Sequence, residues 1–137
     1  MHKRTILLLF SLLILFVSCE DDWFYEDHLV DYAWEVDLSE VADNYERLFS
    51  VFSFLRDQRG TEDVRYLLDG APYQLDSFDW YWDKYDRELL VLEYKFDVRF
   101  IRVRHMSRHT IEGFFYKNER DLNKGKGIPV LFRSVGY

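Results

Sequence analysis

The feature that most constrains the fold is a two-residue hydrophobic alternation recurring in short segments from Tyr32 to the C-terminus. Successive side chains of an extended strand point to opposite faces, so alternating apolar and polar residues mark a strand with one buried face. Tyr32-Ala33-Trp34-Glu35-Val36-Asp37 shows this first. Leu48 to Arg56, Asp63 to Leu68, Tyr73 to Trp82, Leu89 to Phe96, Val98 to Arg104, Thr110 to Lys117 and Ile128 to Ser134 follow. Asp57-Gln58-Arg59-Gly60 and Asp69-Gly70-Ala71-Pro72 carry the Gly and Pro signals of turns. Leu38 to Asn44 interrupts the pattern as a short helix or turn, with Ser39 as its cap. Eight antiparallel strands are expected, enough to close into a small all-β barrel or to stack as a two-sheet sandwich.

A chain of 137 residues has room for one domain. With 48% apolar and 31% charged residues it falls among folded globular proteins. The 18 Lys+Arg against 25 Asp+Glu, a net charge of -7, argue against a general nucleic-acid binder, which presents a basic surface to phosphate. The charge is uneven. Glu20 to Glu46 holds eleven acidic side chains and no Lys or Arg, whereas Lys95 to Arg133 carries ten basic residues against four acidic. The acidic segment either packs across basic strands or leaves a basic face for an acidic partner such as lipopolysaccharide phosphates or an acidic glycan. Scattered solvated charge is the plainer reading.

The N-terminus has the layout of a secretory signal: His2, Lys3 and Arg4, then an apolar stretch from Ile6 to Val17 broken only by Ser11, then Ser18-Cys19. The stretch is shorter than the roughly 20 residues a spanning helix needs. Leu15-Phe16-Val17-Ser18-Cys19 resembles the lipobox of bacterial lipoproteins, with Phe16 where Leu is commonest. That resemblance implies cleavage before Cys19 and acylation of Cys19 with diacylglycerol and palmitate. The lipid would hold the protein at a membrane, each buried CH₂ contributing about 0.8 kcal/mol. Glu20-Asp21-Asp22 resembles the signal that exports lipoproteins to the outer face of the outer membrane in one group of Gram-negative bacteria, or serves as a solvated spacer. The expected organisation is a signal peptide over 1–18, an acidic tether over 19–30 and a β domain over 31–137.

The strand residues themselves carry a second resemblance. Trp34, Phe52-Ser53-Phe54 leading to Gly60-Thr61, Phe78-Asp79-Trp80-Tyr81-Trp82, Leu90-Val91-Leu92, Phe100-Ile101-Arg102-Val103 and Leu131-Phe132-Arg133 look like the lipocalin-like domain of small bacterial lipoproteins. Tyr32 stands where that family has Gly before the first-strand Trp. The resemblance implies a barrel able to hold a small hydrophobic molecule.

Candidate ligand-lining residues are Trp34, Trp80, Trp82 and Tyr94, with Arg102 or Arg104 at the mouth. Inward Trp residues are more often core than ligand platform, because each buries a large apolar area. Trp23-Phe24-Tyr25 is a second aromatic strip, suited to a partner or the membrane interface. Catalytic groupings are sparse. Asp76, Asp79, Asp83 and Asp86 form a carboxylate series, but Asp79 and Asp83 alternate with Phe78, Trp80 and Trp82 and face solvent. His105 and His109 flank a turn with no nearby Glu or Cys to complete a metal set, and Ser107 and Ser134 lack a nucleophile-elbow setting. No enzyme activity, metal or cofactor is expected; a carboxylate hydrolase is the weakest option. The expected function is that of an outer-membrane lipoprotein acting as a binding module for a small hydrophobic ligand or an envelope partner, with a structural role in an envelope complex as the alternative.

Overall fold

The computed structural model describes residues 26–38 and 47–135. Eight strands follow one another: β1 (Ala33–Asp37), β2 (Leu48–Phe54), β3 (Arg59–Tyr66), β4 (Pro72–Trp82), β5 (Leu89–Glu93), β6 (Val98–Met106), β7 (Thr110–Tyr116) and β8 (Ile128–Val135). Each pairs antiparallel with its sequence neighbours, and β8 returns to β1 through Ala33 opposite Val135, Trp34 opposite Ser134 and Glu35 opposite Arg133. The sheet is a closed up-and-down barrel, which removes the sandwich alternative. Closure is favoured because it pairs the edge strands that an open sheet would leave exposed.

The interior follows from the alternation. Trp34 and Val36 of β1, Phe52 and Phe54 of β2, Phe78 and Trp80 of β4, Leu90 and Leu92 of β5, Ile101 and Val103 of β6, Phe115 of β7 and Phe132 of β8 form one buried cluster. Phe52, Phe54, Phe78, Trp80 and Phe132 meet as tilted, stacked and edge-on rings with centroids 5.6–6.2 Å apart, within the range where aromatic pairs attract. Glycine makes two close approaches possible. A Cβ at Gly60 would lie 2.5 Å from the Phe78 ring, and one at Gly113 would lie 2.0 Å from the Arg102 carbonyl oxygen, beside the bulge between Val103 and His105.

Some strand limits differ from the sequence expectation. β3 begins at Arg59 because Leu55–Gln58 makes the turn: the Leu55 N–H donates to Arg59 O at 2.8 Å, and Gln58 takes the left-handed conformation with φ 65°. β5 stops at Glu93. Tyr94 turns instead, its N–H donating to Asp97 O at 2.8 Å, and Phe96 is left 90% exposed. The Leu38 to Asn44 expectation lies outside the described residues beyond Leu38.

Two helices join the barrel where sequence suggested only tether and loop. Residues 26–31 form α1, so the segment expected as acidic tether over 19–30 ends as part of the folded domain. Leu29 of α1 is 1% exposed, and its carbonyl accepts a hydrogen bond from Trp34 Nε1 at 3.0 Å, so the helix caps one end of the barrel. Arg56 in the β2–β3 turn reaches Asp27 at 3.0 Å and Asp31 at 3.4 Å. Among the described residues the acidic segment thus meets a basic residue of an early turn, and its Glu35 stands opposite Arg133 of the basic C-terminal third in the β1–β8 register. A five-residue helix, α2 (Glu119–Asn123), lies in the Lys/Gly-rich loop before β8, capped by Asn118, whose side chain accepts from the Asp121 N–H at 2.8 Å. Its Leu122 packs on the outside of the barrel over Leu89, Val91, Phe100 and Tyr116, so these strands are apolar on both faces.

The left-handed conformation is costly for any residue with a Cβ, by roughly 1–2 kcal/mol. Gln58→Gly is therefore expected to stabilise the protein by about 1 kcal/mol and raise its thermal midpoint by several degrees, whereas Gly113→Ala is expected to lower it. Thermal melts of the two variants check both signs.

Candidate functional site

The barrel has a filled end and a polar end. At the α1 end, Leu29, Trp34, Phe54, Leu90, Ile101, Val103, Ile111 and Phe132 leave a void of only about 10 Å³ among them. A small-molecule site occupies some 300 Å³ or more, so this level of the barrel is core. Trp80 reinforces it: its Nε1 donates to the carbonyls of Leu55 at 3.1 Å and Arg59 at 2.9 Å, tying β4 to the turn between β2 and β3.

Toward the opposite end the inward residues become polar. Glu62 of β3 is 2% exposed and stands among inward neighbours from three other parts of the barrel. Ser50 Oγ donates to its Oε2 at 2.7 Å, while the Tyr94 hydroxyl and Arg99 Nη1 donate to its Oε1 at 2.7 and 3.0 Å. The Arg99 guanidinium also lies over the Tyr94 ring, 4.2 Å from its centroid, and its Nε bonds Asp97 at 3.0 Å. Asp76 stands opposite Glu62 in the β3–β4 register and accepts from Gln74 Nε2 at 2.7 Å. A buried carboxylate is tolerated when its oxygens are hydrogen-bonded and its charge is matched, and both conditions hold for Glu62. Burial, and then the Glu62 carboxylate, push the Tyr94 hydroxyl well above its ordinary pKa, so Tyr94 acts as a neutral donor.

Beyond this cluster, where β2 begins and β3 ends, Arg47, Tyr66, Leu67, Leu68 and Asp69 line a hollow of about 700 Å³. Among the described residues the β3–β4 hairpin supplies most of its wall, closed by the Ala71 carbonyl accepting from the Tyr66 N–H and by Gly70 in a left-handed turn. Arg47 has no ion-pair partner among the described residues, unlike Arg56, Arg65, Arg99 and Arg102, each held by a carboxylate. A cation beside leucine and tyrosine side chains is suited to a ligand with an apolar body and a polar or anionic end.

Of the residues expected to line a ligand cavity, Trp34, Trp80, Trp82 and Tyr94 do gather on one cluster, but as packed core, and Arg102 does not join them. Trp34 and Trp80 are sealed in the core at 0% and 1% exposure, and Trp82 packs against the same cluster. Tyr94 is committed to Glu62. Arg102 lies on the outer wall, because Ile101 and Val103 take the inward positions of β6; its Nη1 donates to Asp86 at 2.6 Å. That hydrogen bond holds the Asp86 carboxyl below the usual carboxylate range. Asp83 accepts from the N–H groups of Tyr85 and Asp86, organising the β4–β5 turn, while Asp79 is exposed on the outer face. The aspartate series therefore does not converge on a cleft. His105 and His109 are exposed on and after β6, and among the described residues no three His, Cys, Asp or Glu side chains form a metal-binding group. Cys19 and the Trp23-Phe24-Tyr25 strip lie outside the described residues.

Comparison with known proteins adds no relative. No family model, curated protein or solved structure matches this chain.

Removing one member of a buried pair strands the other, at about 3–5 kcal/mol. Glu62→Leu is expected to be destabilising on that scale, and adding Arg99→Met should recover more than about 1 kcal/mol by removing the stranded charge. Chemical denaturation of the single and double variants reads the coupling; simply additive losses would contradict the pairing. A second expectation concerns alkaline pH. Tyr94 keeps its proton in the fold but would lose it above the ordinary tyrosine value of 10.0 once unfolded, so its contribution is present below that value and falls as pH rises past it. Tyr94→Phe should make stability decline less steeply above pH 10, measured as the denaturation midpoint against pH.

Proposed function

We propose that this chain is an envelope lipoprotein of a Gram-negative bacterium, held to the outer membrane through acylated Cys19, in which a lipocalin-like barrel acts as a non-catalytic binding module. The observation that carries the reading is the polarity of the barrel. α1, through which the chain enters the domain from its N-terminal side, is docked by Leu29 at the filled end, and the 700 Å³ hollow lies at the other. A tether attached at the α1 end holds the filled end nearest the membrane and turns the hollow away from it.

The ligand is a small, largely apolar molecule seated at the rim on Tyr66, Leu67 and Leu68, with Arg47 beside its polar end. It does not occupy the barrel axis, which aromatic side chains fill. The structural alternative has its own support: Leu67, Leu68, Tyr73 and Leu75 are exposed around one hairpin, and an apolar surface of this kind suits a protein partner of the envelope.

Mass spectrometry of the mature N-terminus is expected to find Cys19 as the first residue and carrying acyl groups; an unmodified Cys19 would sink the anchor. Native mass spectrometry of the protein purified from its own host is expected to show an added small-molecule mass that Arg47→Ala and Leu68→Asp each reduce several-fold. A mass retained in both variants rules out the rim site.

A further inference from the structure

The closed barrel keeps free strand edge where neighbouring strands pair over only part of their length, and the longest such stretch among the described residues lies on β4. β4 has eleven residues and β5 only five, and the two pair only from Asp79 opposite Glu93 to Trp82 opposite Leu90. Along Pro72–Phe78 β4 pairs with β3 alone, and on its other side no strand lies among the described residues. The direction of its main-chain groups follows from two hydrogen bonds. The Trp80 N–H donates to Gln58 O on the β3 side, and the Asp83 N–H donates to Leu89 O on the β5 side. Because successive residues of a strand alternate in this respect, the N–H and C=O of Leu75 and Ser77 point to the open side.

Free edges of this kind are usually blunted by lysine, proline or a covering segment. Here Pro72 stands at the first position of the strand and the only charged residue before Asp79 is Asp76, which alternates inward. Leu75 is 71% exposed and Leu68, at the hairpin tip, 98%.

We propose that this edge pairs antiparallel with the same edge of a second copy of the chain, centred on Leu75, to give a two-fold dimer. The edge is self-complementary in that register. Leu75 meets Leu75 of the second copy, Tyr73 meets Ser77, and Gln74 meets Asp76, so no like charges oppose one another. The Gln74–Asp76 combination already forms a 2.7 Å hydrogen bond within one strand. The pairing ends beyond Ser77, because Glu93 already occupies the place beside Asp79, and the turn at Ala71 and Pro72 of the second copy leaves the sheet next to Phe78. There, a hollow of about 500 Å³ is lined by Ser77, Phe78, Asp79, Glu93, Tyr94 and Lys95 and can receive the turn. Lys95, which has no ion-pair partner among the described residues, then stands near the Asp69 carboxylate of the second copy. The dimer depends on β4 alone and not on the lipid anchor or the ligand.

Residues directly opposite across such a pair have Cα atoms about 5.5 Å apart, within reach of a disulfide. In the full chain carrying Cys19→Ala, so that an introduced thiol is the only one, Leu75→Cys is expected to cross-link on mild oxidation in detergent. The product should be a band of twice the chain mass, at least ten-fold more abundant than from Leu131→Cys, an exposed position on β8. Sedimentation of the Cys19→Ala chain should give a dimer that Leu75→Lys converts to monomer. Cross-linking equal to the β8 control, a cross-linked band of any other mass, or a Cys19→Ala chain that sediments as a monomer would each overturn the proposal.

Discussion

An eight-stranded barrel is so narrow that side chains from opposite walls meet on its axis, and this geometric limit decides where everything else in the molecule goes. Once aromatic rings from β2, β4 and β8 are in contact, the lower barrel has no space for another molecule. Binding chemistry is displaced to the rim, where strands end unevenly and loops can make concave surface. The hollow beside Arg47 and the free edge of β4 have the same origin: the β3–β4 hairpin outruns its β5 neighbour.

The buried Glu62 cluster sits between these two regimes. It replaces apolar packing with a carboxylate that accepts from Ser50, Tyr94 and Arg99, and it connects β2, β3, the β5–β6 turn and β6. Directional contacts of this kind constrain register more tightly than apolar packing. A slip of one residue in β3 would carry Glu62 to the outer face and bring Thr61 or Asp63 inward, breaking the hydrogen bonds that Glu62 accepts from Ser50, Tyr94 and Arg99. The cluster also separates the dry core from the solvated mouth, so the barrel has a definite floor.

The closed end is built from a different device. Trp34 and Trp80 each bury a large ring yet keep an N–H that needs an acceptor, and both find one in main-chain carbonyls: Leu29 for Trp34, Leu55 and Arg59 for Trp80. The same two side chains that fill the core therefore fasten α1 and the β2–β3 turn to it. The exposed pairs of Arg56 with Asp27 and Asp31 add little by comparison, because solvent screens them.

Strand number and most inward positions were legible in the sequence, because a two-residue alternation depends only on the geometry of the local chain. Trp34, Phe52, Phe54, Phe78, Trp80, Leu90 and Leu92 face inward as the pattern implies. Arg102 was not legible: α2 covers the outer face of β5 to β7, so Phe100 is as apolar as Ile101 and alternation loses its meaning there. Helix α1 was hidden by its acidity, since only Leu29 among its residues is fully buried. Glu62 falls between the turn ending at Gly60 and the strand expected from Asp63, and the residues that satisfy its carboxylate lie 12, 32 and 37 positions away. The sequence by itself determined which side chains share a face. Only closure of the sheet decided which of those faces is solid core, which is polar floor and which edge stays open, because these depend on strands of unequal length meeting around a ring.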